Sequence, residues 1–170
     1  GGFMFYSITQ AESLCDTEPS LIFSLINEND MEVVNKIISK EGYDFSIEDD
    51  NGNNIIMYLL KNKQFDLVLK YIDKVDINHQ NNDGDTLAFQ NNVEYIGDLI
   101  IKHSVNITMN NKTLTVRGNI IYSTSTSSNI KFSLIGAGTI KVLCLGQSGG
   151  NFKLDAPNSQ VEIYGTTNET

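Results

Sequence analysis

One recurrence constrains this chain more than anything else in it. Leu21, Ile22, Leu25 and Ile26 put apolar side chains on one face of a short helix, and Ile55, Ile56, Leu59 and Leu60 repeat that stripe further along. Met31, Val33, Val34, Ile37 and Ile38 make a second stripe, which Phe65, Leu67, Val68, Tyr71 and Ile72 repeat at the same offset. Asn29-Asp30 offers an N-cap between the two stripes, and Gly42 offers a stop. An extended piece with a turn follows each pair: Tyr43 to Gly52, then Val75 to Gly84, which align position for position. Each piece closes on glycine, where a turn asks for a positive φ. A period of roughly 33 residues, built of helix, helix and turn, specifies a stacked array whose units bury their apolar faces against one another.

The turn residues resemble those of the ankyrin-repeat family. Asp49-Asp50-Asn51-Gly52-Asn53-Asn54-Ile55-Ile56 and Asn81-Asn82-Asp83-Gly84-Asp85-Thr86-Leu87-Ala88 are similar to its D-x-x-G-x-T-P-L opening, and Val75-Asp76-Ile77-Asn78 is similar to its G-A-D-V-N close. Both repeats lack the proline, Met57 and Phe89 stand where the family has histidine, and Asn54 replaces threonine. The resemblance covers residues 16–108, with two clear repeats and a third shortened one; the alternative for 16–90 is an unrelated pair of helical hairpins. In the third unit Asn91 to Ile107 is similar to a second helix and its exit, yet about one helical turn is missing before it. The same stretch has a rival reading, because Ile101, His103, Val105, Ile107 and Met109 alternate as a strand does. Residues 1–15 read as a leader, whose Gly1-Gly2 without a methionine suggests a leftover of expression or a start lying upstream.

Beyond Met109 the period is two. Leu114-Thr115-Val116, Ile120-Ile121-Tyr122, Ile130 to Leu134, Thr139 to Leu145, Asn151 to Leu154 and Gln160 to Tyr164 are short strand patterns at roughly ten-residue but uneven spacing, without a fixed repeat, parted by Gly, Asn and Ser. The fold class expected is therefore α+β in two parts: helical repeats, then an all-β segment over 109–170, either a sandwich or a β-solenoid. Such segments also resemble the β-rich pieces of viral fibre and baseplate proteins.

Charge divides the chain at the same place. Residues 1–109 carry 18 acids and 7 bases, and residues 110–170 carry 3 acids and 5 bases. The net charge of −9 opposes binding to duplex nucleic acid, which needs a basic face against phosphate. No apolar run nears the ~20 residues of a membrane span. Twenty Asn, 20 Ile and 11 Lys against one Arg mark an AT-rich coding sequence of viral or bacterial type. Cys15 and Cys144, far apart and without a CxxC neighbour, read as buried thiols of a reducing, intracellular compartment, with a virion as the other setting.

The catalytic motifs fail on context. Gly146-Gln147-Ser148-Gly149-Gly150 matches G-x-S-x-G, but no helix pattern follows and no histidine comes after Ser148, so a hairpin turn is expected. Gly136-Ala137-Gly138 lacks the continuation of a phosphate loop. The acidic turns lack the EF-hand aspartate, since Ile47 and His79 occupy its place before Gly52 and Gly84. Two Cys and two His, all distant, make no zinc site. The expectation is a non-enzymatic protein without cofactor or metal.

What remains is a surface. By position in the family, the resemblance implies a concave face formed by Asp50, Asn51, Asn53, Lys61 and Asn62 of one repeat and Asn82, Asp83, Asp85 and Gln90 of the next. Polar and acidic, it suits a basic or amide-rich segment of a protein partner, and neither nucleic acid nor membrane. Asn78 occupies the position at which asparaginyl hydroxylases modify such arrays, or it caps its turn. The expected function is a protein–protein interaction module; the alternative is a structural component that assembles through its β-rich part.

Overall fold

A computed structural model of the chain describes residues 7–122, 131–145 and 153–165. The protein is an α+β molecule: among the described residues, five short helices come first and eight strands follow. Helix α1 (Ile8–Thr17) precedes two helix pairs, α2 (Leu21–Asn27) with α3 (Met31–Ile38) and α4 (Ile55–Lys61) with α5 (Phe65–Tyr71), the last continued by a 3₁₀ turn at Ile72–Lys74. The second pair follows the first at the offset of the apolar stripes. Ile22, Leu25, Ile26, Val34, Ile38, Ile55, Ile56, Leu59, Leu60 and Val68 are all removed from solvent, so each helix buries its stripe against its neighbour.

The segment expected as a leader contains the first helix. Ser7 caps α1 by accepting from the Gln10 amide, while the Gln10 side chain accepts from the Ser7 amide, a reciprocal capping box. Ala11 and Cys15, one turn apart, are buried by it. The leader expectation overlooked this S-x-x-Q signature.

The shortened third repeat does not form a helix pair. After the second turn the chain becomes extended at Leu87–Phe89, where Ala88 bridges Thr108 in parallel. Strands β1 (Val93–Tyr95), β2 (Leu99–Ile101) and β3 (Val105–Thr108) then occupy the stretch expected as a helix and its exit. The alternating pattern prevails because Leu87, Phe89, Val93, Leu99, Ile101, Val105, Ile107 and Met109 all point inward, which no single helix face allows. Strands therefore begin at Val93, ahead of the expected boundary at 109.

The remaining strands are β4 (Thr113–Tyr122), β5 (Lys131–Ile135), β6 (Thr139–Leu145), β7 (Lys153–Asp155) and β8 (Gln160–Ile163). Among the described residues every strand pair is parallel, in two sheets: β1-β4-β6-β8 with β2 also on β4, and β3-β5-β7. A hairpin sandwich would be antiparallel, so this chain instead winds as a coil and returns beside itself. Val93 lies next to Leu114, Leu114 next to Ile140, and Ile140 next to Val161, one inward residue above another. Corner side chains tie each turn to the next: Asn92 accepts from the Thr113 amide at 2.9 Å, Asp98 from Asn119 at 2.8 Å and Ser104 from Lys131 at 3.2 Å. The helical and coiled parts share one continuous apolar core, joined where the Phe65 ring meets Phe89 at 5.9 Å and Tyr95 at 6.2 Å.

Candidate functional site

The two turns are built alike, and one acceptor side chain organises each. Asp49 Oδ1 accepts from the amides of Asn51 (2.9 Å) and Asn53 (2.8 Å). Asn81 Oδ1, at the matching position of the next turn, accepts from the amides of Asp83 and Asp85, both at 3.0 Å. The main chain closes each tip in the same way, with Gly52 N–H on Asp49 C=O and Gly84 N–H on Asn81 C=O. Gly52 and Gly84 take φ of 77° and 82°, the left-handed region that the turn reading requires. The extended pieces match too: Asp44 accepts from the Ser46 amide and Asp76 from the Asn78 amide, each at 2.9 Å.

The tips are bonded to one another. Asn81 Nδ2 donates to Asn53 Oδ1 at 2.9 Å, the Asn82 amide to Asn51 C=O at 2.9 Å, and Asn82 Nδ2 to Asp50 C=O at 3.2 Å. His79 Nε2 lies 2.7 Å from Gly52 C=O, a further link across the repeat junction. These bonds make two loops into one rigid polar edge. On it Asp50, Asp83 and Asp85 are exposed. Among the described residues their carboxylates form no ion pair. Partial burial works to raise the Asp49 pKa, but hydrogen bonds from the Asn53 amide and side chain and from the Asn51 amide outweigh it and hold the group below its ordinary value.

The expected face is only partly assembled. Asp50, Asn51, Asn53, Asn82, Asp83 and Asp85 share the tip edge. Lys61 and Asn62 end α4, about 10 Å along its axis from the tips. There Asn62 Nδ2 donates to Tyr58 C=O at 2.9 Å, the Lys61 ammonium lies over the Tyr58 ring, and Lys61 C=O accepts from Asn91 Nδ2 at 3.1 Å. Gln90, exposed beside Asn91, belongs to that second locality. Asn78 is exposed, with its amide held by Asp76. The residues that shape the site, Asp49, Asn81 and His79, were absent from the expected set. A signal for the first two exists: they occupy the same position in the two aligned turns, each opening its own tip.

Ser148 and its glycine-rich motif lie outside the described residues. Cys15 is buried and unpaired, and burial, seconded by Asp16, pushes its thiol up to about 11, far from a nucleophile's range. The Cys144 side chain also lies outside the described set. Among the described residues no three His, Cys, Asp or Glu converge as metal ligands, and no helix is long and apolar enough to cross a membrane. Comparison with protein-family models, with curated proteins and with solved structures finds no match to this chain.

Proposed function

We propose that this protein is a non-catalytic protein–protein interaction module, an ankyrin-like array continued directly by a β-solenoid, and that its tip edge receives a basic or amide-rich segment of a partner. The observation that carries this reading is the cross-linked edge itself. Hydrogen bonds within each tip and between the two hold them in fixed positions. The carboxylates of Asp50, Asp83 and Asp85 project from them, without an ion pair among the described residues. Preorganised charge of this kind loses little entropy on binding and selects partners of opposite sign. An intracellular setting fits the unpaired, buried Cys15, and Asn78 is exposed where a hydroxylase could reach it.

Affinity capture with the whole chain, compared with the Asp83→Lys, Asp85→Lys double variant, tests the reading. The wild type should retain a basic protein that the double variant releases. Retention of the same proteins by both would overturn the tip assignment.

One observation favours assembly as a second reading. Val161 and Ile163 continue inward columns whose preceding members, Ile140 and Val142, are fully buried, yet they remain 43% and 47% exposed at the last described strand. Inward-column residues that no described turn covers favour pairing with a further apolar face. Light scattering on the eluting protein separates the two readings: a concentration-independent monomer supports the adaptor, and a stable higher species supports assembly.

A further inference from the structure

Where the helices give way to strands, α5 and the first turn of the coil leave a trough between them. Its larger part is a hollow of about 480 Å³ between α5 and strands β1 and β2, reaching to His103. A second hollow of about 210 Å³ shares Asp66 and Tyr95 with it and extends it toward the start of α5. The floor is apolar: Leu69 and Tyr95 are half-buried there, and Ile100 stands 49% exposed at the wall. Ile100 points outward from the coil while its neighbours Leu99 and Ile101 are buried, so packing of the core does not explain an isoleucine at that position.

Charge in the trough runs against the rest of the helical part. Lys70 and Lys102 overlook the larger hollow. Among the described residues the Lys102 ammonium forms no ion pair. Among the described residues Asp66 is the one carboxylate lining the larger hollow, and Glu94, in the smaller hollow beside Lys63, is paired with Arg117. Asp66 faces the Tyr95 hydroxyl, and Asp73, outside the lining of both hollows, lies 3.8 Å from His103 Nε2. Lys70 sits over the Tyr71 ring at 5.4 Å, and its ammonium has no carboxylate partner among the described residues. The hollow beside the tips is instead acidic, lined by Asp85 with no basic residue. In the larger hollow two lysines stand against one aspartate over an apolar floor, the reverse of the surrounding half-chain, and this is complementary to an anionic apolar ligand. Two hollows in line fit an extended chain better than a compact molecule.

We infer that this trough is a docking site for an extended acidic peptide segment of a partner protein. An aliphatic side chain of that segment packs on Leu69, Tyr95 and Ile100, and flanking carboxylates meet Lys70 and Lys102. The site is separate from the tip edge, selects the opposite charge, and does not rest on the reading of the tips.

Fluorescence anisotropy of the whole chain with a fluorescein-labelled Glu-Leu-Glu-Leu-Glu peptide, and with Lys-Leu-Lys-Leu-Lys as control, tests it. The acidic peptide should bind at least about tenfold more tightly at low salt. In ¹⁵N-labelled protein the shifted amides should cluster at Leu69, Tyr95, Ile100 and Lys102. Lys102→Glu and Ile100→Asp, both at exposed positions that leave the core intact, should each weaken binding about tenfold. Lys112→Glu, the same charge reversal outside the trough, should not. Equal or absent binding of the two peptides, shifts confined to the tips, or equal weakening by Lys112→Glu would each overturn the proposal.

Discussion

Asp49 and Asn81 perform the same task with different chemistry. Each side-chain oxygen accepts two amides of its tip, but only Asp49 carries charge. Hydrogen bonds to a charged acceptor contribute about 1.5–3 kcal/mol, against about 1 kcal/mol for a neutral one. Because the folded pKa of Asp49 lies below its ordinary 3.8, its contribution is fully present above that value and is lost as pH falls through the lowered folded value. Asp49→Asn installs the group that the next repeat already uses. It should cost about 1 kcal/mol at neutral pH and flatten the acid limb of stability. Urea denaturation between pH 2 and 7 checks this, and an acid limb unchanged by the substitution would place the titration elsewhere. The glycines of the tips differ in a second way. A Cβ at Gly84 meets open space, so Gly84→Val bears only the backbone strain, on the order of 1–3 kcal/mol. A Cβ at Gly52 would stand 2.5 Å from Asn82 Oδ1 and 3.0 Å from the Asn82 amide nitrogen. Gly52→Ala should therefore destabilise more than Gly84→Ala and break the cross-tip bonds; equal denaturation midpoints for the two would contradict this geometry.

At the scale of elements the informative place is the segment from Thr86 to Met109. Its opening, Thr86-Leu87-Ala88, occupies the place at which α4 begins one repeat earlier, yet Thr108 exchanges main-chain hydrogen bonds with Leu87 and Phe89, and these residues are strand-like. Phe89 is 1% exposed and packs against Phe65. That ring is the joint between the last helix pair and the coil. Truncation of a buried phenylalanine costs about 3–5 kcal/mol. Phe89→Ala should accordingly lower the melting of helices and strands together. With one core running through both parts, calorimetry of the wild type should show a single transition, moved as a whole by Phe89→Ala and by Gly84→Val. Two resolved transitions, only one of them moved, would mean that the joint carries no coupling.

Across the whole molecule, charge is the long-range property. The excess of acids over bases in residues 1–109, 18 against 7, surrounds the tips with negative potential. The coil's outer face instead carries paired charges, such as Arg117 with Glu94 at 2.7 Å and Lys141 with Glu162 at 3.7 Å. A basic partner of the tips should associate more slowly as salt shortens the screening length to ~8–10 Å and below. Stopped-flow on-rates should fall with salt and fall further in the Asp83→Lys, Asp85→Lys variant. Rates flat across salt would remove electrostatic steering from the account.

The positions of α2 to α5, the spacing of the two pairs, the glycine turns and the strand patterns were legible locally, because a periodicity of 3.6 or 2 and a positive φ are properties of neighbouring residues. The direction in which strands pair is not. Leu114, Ile140 and Val161 would alternate identically in a sandwich and in a coil, and only their stacking across successive turns makes them one parallel column. The same limit hid the candidate surfaces. Asn53 meets Asn81 of the following turn, and Lys102 and Leu69, far apart in sequence, line one hollow. Such juxtapositions arise from burial of a shared core. That burial depends on the summed apolar area of many distant residues, and no local pattern encodes it.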